Sequence, residues 1–127
     1  MNVLFASSEV WPLVKTGGLG DVSAALPAAL HVLQLDIRIL IPGYPQVMSG
    51  ITHKVKVAEF HNLTHFPHTT LLSANLTTSA SNSVPIFIID CPDLYQREGS
   101  PYLDATGLDW PDNALRFGLL SKIGAIL

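Results

Sequence analysis

Apolar positions along the chain fall into short continuous runs and longer spaced stripes, and the two patterns predict different elements. Val3 to Ala6 is a short apolar run closed by Ser7, Ser8 and Glu9, as in a strand buried within a parallel sheet. Between residues 18 and 34, Val22, Ala25, Leu26, Ala29, Leu30 and Leu33 recur at helical spacing, which predicts an amphipathic helix with a kink at Pro27. Ile37 to Ile41, stopped by Pro42-Gly43, reads as a second strand and completes a βαβ unit. Residues 51 to 80 alternate apolar with Thr, Ser, His and Lys through Val55, Val57, Phe60, Leu71, Leu72 and Leu76, the pattern of exposed strands or a hairpin. Val84 to Ile89, ending at Asp90, is a further strand. Leu115, Leu119, Ile123 and Ile126 then return to helical spacing, with Asp109 or Asp112 as its cap. The predicted class is α/β, a single Rossmann-like layer structure. No repeat or linker divides it, and the last helical pattern meets no stop signal before Leu127, so an incomplete domain of a longer protein is expected.

Composition supports a folded domain. The 127 residues are 48% hydrophobic, which excludes disorder, but only 13% are charged, against about a quarter in a typical soluble domain. Part of the surface is therefore expected to be covered by something else. The net charge is −3 and no basic run is present, which excludes a nucleic-acid partner. The N-terminus has no basic segment ahead of its apolar run, and no window approaches the roughly 18 apolar residues of a membrane helix. The expected location is cytoplasmic, without membrane contact. Cys91, the single cysteine, excludes an internal disulfide and fits a reducing compartment as a half-buried, inert thiol. The sequons at Asn62 and Asn75 carry meaning only in a secretory pathway.

Candidate chemistry concentrates in Lys15-Thr16-Gly17-Gly18-Leu19-Gly20-Asp21-Val22, between the first strand and the first helix. In open α/β sheets ligands lie beyond the carboxyl ends of the strands, and a glycine-rich turn lets an anion approach the free N–H groups of a helix start. Lys15 adds a full charge, and glycine at 17 and 18 removes the Cβ atoms that would obstruct a phosphate. The other reading is a turn that merely reverses the chain, with Lys15 solvated. Two known motifs are excluded. In a P-loop the Lys-Ser/Thr pair follows the glycines, whereas here Lys15-Thr16 precedes them. A dinucleotide fingerprint needs a third glycine where Ser23 stands.

The longer stretch Ser8-Glu9-Val10-Trp11-Pro12-Leu13-Val14-Lys15-Thr16-Gly17-Gly18-Leu19-Gly20-Asp21-Val22 resembles the N-terminal signature of bacterial glycogen synthases and plant starch synthases. Further matches follow in the same order: residues 24–30, Leu40-Ile41-Pro42-Gly43-Tyr44-Pro45, Tyr95 to Tyr102, and Asp112 to Phe117. Only residues 51–82 carry no matching motif. The resemblance implies a two-domain B-type glycosyltransferase fold, of which residues 1–127 are the partial N-terminal domain and the C-terminal nucleotide-sugar domain is absent. It implies transfer of glucose from ADP-glucose to the non-reducing end of an α-1,4-glucan with retention, without cofactor or metal. By position, Lys15 faces the nucleotide-sugar phosphates, Gly17 and Gly18 line the same pocket, and Asp21 lies near the sugar or acceptor. The family's remaining catalytic groups fall beyond Leu127, so the isolated chain is expected to be inactive. A non-catalytic nucleotide- or glucan-binding module is the competing reading, and a phosphorylase-like or sucrose-linked transferase of related fold is a third.

Outside the glycine loop the candidates are fewer. Tyr95 is placed against the glucan acceptor, where an aromatic ring can stack on sugar, while Tyr102 and Trp110 read as packing residues. Arg97 and Glu98 read as a solvated turn, and Arg116-Phe117 as structural. His61, His65 and His68 are the one histidine cluster, but their spacing puts them on no common strand face, so they read as exposed loop residues and not as metal ligands.

Overall fold

A computed structural model describes residues 1–79 and 82–127. Five strands form one mixed sheet in the order β1-β2-β5-β4-β3. They are β1 (Asn2–Ala6), β2 (Asp36–Pro42), β3 (Val55–Phe60), β4 (Thr69–Ser79) and β5 (Asn82–Asp90). Four helices, α1 (Gly18–Val32), α2 (Pro45–Gly50), α3 (Pro92–Tyr95) and α4 (Asn113–Ile126), complete the described chain. β1, β2 and β5 run parallel, whereas β4 and β3 add on antiparallel. The α/β class holds as expected, and residues 51–79 supply all of β3 and β4 as a hairpin on the far edge.

The core follows from the unbroken apolar runs. Ile37, Ile39, Leu40 and Ile41 of β2 and Val84, Ile86, Ile88 and Ile89 of β5 are at most 1% exposed, because both strands lie inside the sheet with neighbours on each side. Pro85 is tolerated in β5 because the parallel ladder to β2 covers only Ile86 to Ile89. Helix α1 packs on β2 and β5, and α4 on β1 and β2.

Helix α1 departs from the pattern-based expectation. It runs through Pro27 as one element, and its buried positions are Gly20, Ser23, Ala24 and Pro27. Leu19, Val22, Leu26, Val32 and Leu33 point outward, between 43% and 71% exposed. The small residues win the inner face because the Ser7 and Ser23 hydroxyls meet at 2.8 Å and the Trp11 N–H donates to the Gly20 carbonyl at 3.0 Å. These bonds draw the helix start onto the preceding loop too closely for leucine. Cys91 is fully buried and not half-buried, and that burial pushes its thiol up. No helix among the described residues is long and apolar enough to cross a membrane.

Candidate functional site

The three parallel strands end at Ala6, Pro42 and Asp90, and the segments that follow them share one rim. The Ser7 N–H donates to the Leu40 carbonyl and the Gly43 N–H to the Ile89 carbonyl, so the three exits are laced together. After β1 the chain turns tightly at Val10–Val14, with both valines buried. It then runs through Lys15 and Thr16 to Gly17, which caps α1.

Glu9 organises this loop. It is only 3% exposed. Its carboxylate accepts from the Thr16 N–H, from Thr16 Oγ1 at 2.9 Å and from the Tyr102 hydroxyl at 2.5 Å. The Tyr102 hydroxyl also meets Ser8 Oγ at 2.7 Å. Burial pushes the Glu9 carboxyl up, but the bonds from Tyr102, Thr16 and the Gly17 N–H together hold it below the ordinary carboxylate range. Burial and the Glu9 contact raise the Tyr102 hydroxyl. The sequence reads Tyr102 as a packing residue and gives Glu9 no role of its own, so this contact is not foreseen there. An acid next to the apolar Val10 is a weak hint at best, and nothing in the sequence announces a partner in the loop before α4.

Lys15 projects from this braced loop. Its Nζ lies 2.8 Å from Asp21 Oδ2, with the two side chains 43% and 57% exposed, a pairing that contributes little stability in water. Gly20 supports the lysine stem, since a Cβ there would sit 3.1 Å from Lys15 Cβ and Cγ. At Gly17 and Gly18 a Cβ would meet nothing within 4 Å, so the chain itself makes no demand for glycine at either position. Among the described residues no side chain caps the start of α1, whose first N–H groups and dipole therefore face outward beside the lysine.

A groove of about 380 Å³ runs from Lys15 and Thr16 past Gln46 of α2 to Gly99, Ser100 and Pro101. A second hollow, of about 500 Å³, continues it along Gln46, Arg97, Glu98 and Gly99. The far wall is well anchored. Arg97 donates to both Asp112 carboxylate oxygens at 2.7 Å and to the Asp93 carbonyl, so the expectation of a solvated turn is wrong for Arg97. Asp112 stands at the N-cap of α4 but gives its carboxylate to Arg97 instead of capping the helix. That pairing lowers the Asp112 carboxyl. Gly99 has φ +132°, a backbone that favours glycine, and a Cβ there would lie 2.6 Å from the Leu103 carbonyl oxygen. Arg116 is buried as a structural residue, donating to the carbonyls of Leu94 and Pro101 and to Asn113 Oδ1.

Tyr95 does not reach the groove. It is 1% exposed, its hydroxyl donates to the Arg116 carbonyl at 2.5 Å, and its ring meets Tyr44 edge-on. No face remains for a sugar, and the acceptor role read for Tyr95 is withdrawn. Trp110 packs as expected, with Arg97 and Arg116 over its ring and its Nε1–H donating to the Ser100 carbonyl. His61 and His68, by contrast, are brought together with their rings stacked at 4.5 Å. Counting strand alternation across the intervening turn fails because the chain reverses there.

A βαβ unit whose lysine-bearing glycine loop lies over an open helix start, at the carboxyl ends of the parallel strands, defines a Rossmann-like α/β domain. The family model described as the starch synthase catalytic domain matches residues 2–127, and the chain belongs to that family. It is 63% identical over its whole length to the glycogen synthase of Nitrosospira multiformis and 64% identical over 126 residues to that of Nitrosomonas europaea. In each case it covers 26% of the relative, so the chain spans about a quarter of the length of the curated relatives it matches. The fold is shared with a solved structure, the catalytic domain of starch synthase IV from Arabidopsis thaliana bound to ADP and acarbose. The TM-score is 0.71 at 21% identity, over 97% of this chain and 24% of that one.

Proposed function

We propose that this chain is the N-terminal, Rossmann-like part of a cytoplasmic glycogen synthase. In this reading the complete enzyme transfers glucose from ADP-glucose to the non-reducing end of an α-1,4-glucan with retention, as a step of glycogen biosynthesis. A second domain completes the cleft. The observation that carries the proposal is the braced lysine: Lys15 stands beside the uncapped start of α1, held from behind by Glu9, Thr16 and Gly20. The glycogen synthases among the relatives support the reaction, and the ADP and acarbose on the solved relative support the nucleotide and glucan classes.

Departure of ADP builds negative charge on the leaving phosphate. A fixed ammonium group and helix N–H groups then stabilise the transition state more than the ground state. Open space at Gly17 and Gly18 lets the diphosphate reach those N–H groups. Asp21 holds the Lys15 ammonium in place until the phosphate takes over that contact.

In the complete enzyme, Lys15→Ala is expected to lower kcat/KM for ADP-glucose by about 10²–10³, the usual effect of removing one preorganised charge-stabilising group. Its melting temperature should hardly move, because the Lys15–Asp21 pair is exposed. Steady-state kinetics beside a thermal melt test this, and an unchanged kcat/KM would remove Lys15 from the donor site.

A further inference from the structure

We propose that Glu59, His61 and His68 form a zinc-binding site that staples the tip of the β3–β4 hairpin, an inference independent of the donor reading above. The ladder pairs Glu59 with Thr70 and Phe60 with Thr69. Carried one step further, the same register sets His61 opposite His68, where strand neighbours lie about 5 Å apart. The turn beyond them is closed by the Phe66 N–H donating to the Leu63 carbonyl, with His65 at φ +72°. It is anchored by Phe66, which is partly buried and packs against the hydrophobic core. The two histidines are thus presented by a folded frame.

Their donor atoms converge. His61 Nε2 lies 3.6 Å from Glu59 Oε2 and His68 Nε2 lies 3.7 Å from Glu59 Oε1. All three ligand atoms fall within 4.8 Å of one another. Tetrahedral zinc with ligands at about 2.0–2.2 Å sets them about 3.3–3.5 Å apart; each imidazole now faces a different oxygen of Glu59, so the three ligand atoms draw together from within 4.8 Å by about an ångström. The three side chains are exposed and free to make that adjustment. Two imidazoles with one carboxylate suit zinc better than magnesium or calcium, which prefer all-oxygen shells. Lys56 Nζ now stands 3.3 Å from Glu59 Oε1, and a dication displaces it. The fourth position is left to water, and because the protein ligands come from both sides of the hairpin, the ion clamps its tip.

The test is isothermal titration of the full chain with zinc chloride in a non-chelating buffer, for the parent and for the variants His61→Ala, His68→Ala and His65→Ala. One zinc per chain is expected. His61→Ala and His68→Ala should each weaken binding at least tenfold, whereas His65→Ala leaves it unchanged. Amide exchange on the parent gives a readout that needs no variant, since residues 61–68 should exchange more slowly once zinc is added. The proposal is overturned by the lack of saturable binding to the parent, by binding that survives both His61→Ala and His68→Ala, by an equal loss in His65→Ala, or by unaltered exchange at 61–68.

Discussion

The hydrogen bond between Glu9 and Tyr102 spans 93 positions of sequence and ties the lysine-bearing loop to the opposite wall of the groove. Because the folded Glu9 carboxyl titrates below its ordinary value of 4.5, it contributes stability that is present above that pH and lost as pH falls through the folded value. Tyr102→Phe removes the strongest of the bonds that hold it down. The variant should lose about 1.5–3 kcal/mol at pH 7, as for a hydrogen bond to a charged group, and less near pH 3. Urea melts at the two pH values measure this, and an equal loss at both would contradict the coupling. The glycine loop was legible because spacing and glycine content are local properties. Its brace was not, because Tyr102 meets Glu9 only after the whole sheet has formed. Tyr95 failed for the related reason that a motif position says nothing about which way a ring points.

Among the elements, α1 shows how two stripes can share one helix. Leucine and valine at helical spacing pointed to one face, but the sheet takes the other, built from Gly20, Ser23, Ala24 and Pro27. Periodicity reports that a helix forms and leaves open which stripe wins when close approach favours small side chains. In this chain Val22→Gln should therefore stay within about 0.5 kcal/mol of the parent, whereas Ala24→Leu should cost about 1–3 kcal/mol by overpacking. Paired chemical denaturation decides it, and the reverse ranking would restore the leucine stripe to the core. The strands were easier to read. Unbroken Ile, Leu and Val runs have few other homes, so β1, β2 and β5 appear where expected. The short α2 was missed because its Pro45 start also reads as a turn.

At the scale of the molecule, the two edges of the sheet differ. β3 carries Lys56 and Glu59 and an irregular register between Lys56 and Ala58, devices that blunt an edge. β1 reads Asn2-Val3-Leu4-Phe5-Ala6, pairs in regular register with β2 alone, and borders a groove of about 390 Å³ lined by Val3, Leu4, Arg38 and Phe87. Among the described residues its outward amides have no strand partner, so in hydrogen exchange of the isolated chain β1 should lose protection well before β2 and β5. Equal protection across the three strands would mean that the edge is covered. Strand order was beyond the sequence, since a run of apolar residues looks the same in the middle of a sheet as at its margin. Viewed as a growing polymer of strands, the sheet has one terminated end and one live end. Any strand that extends it, from this chain or another, adds most readily beside β1, where the regular ladder to β2 leaves the open edge.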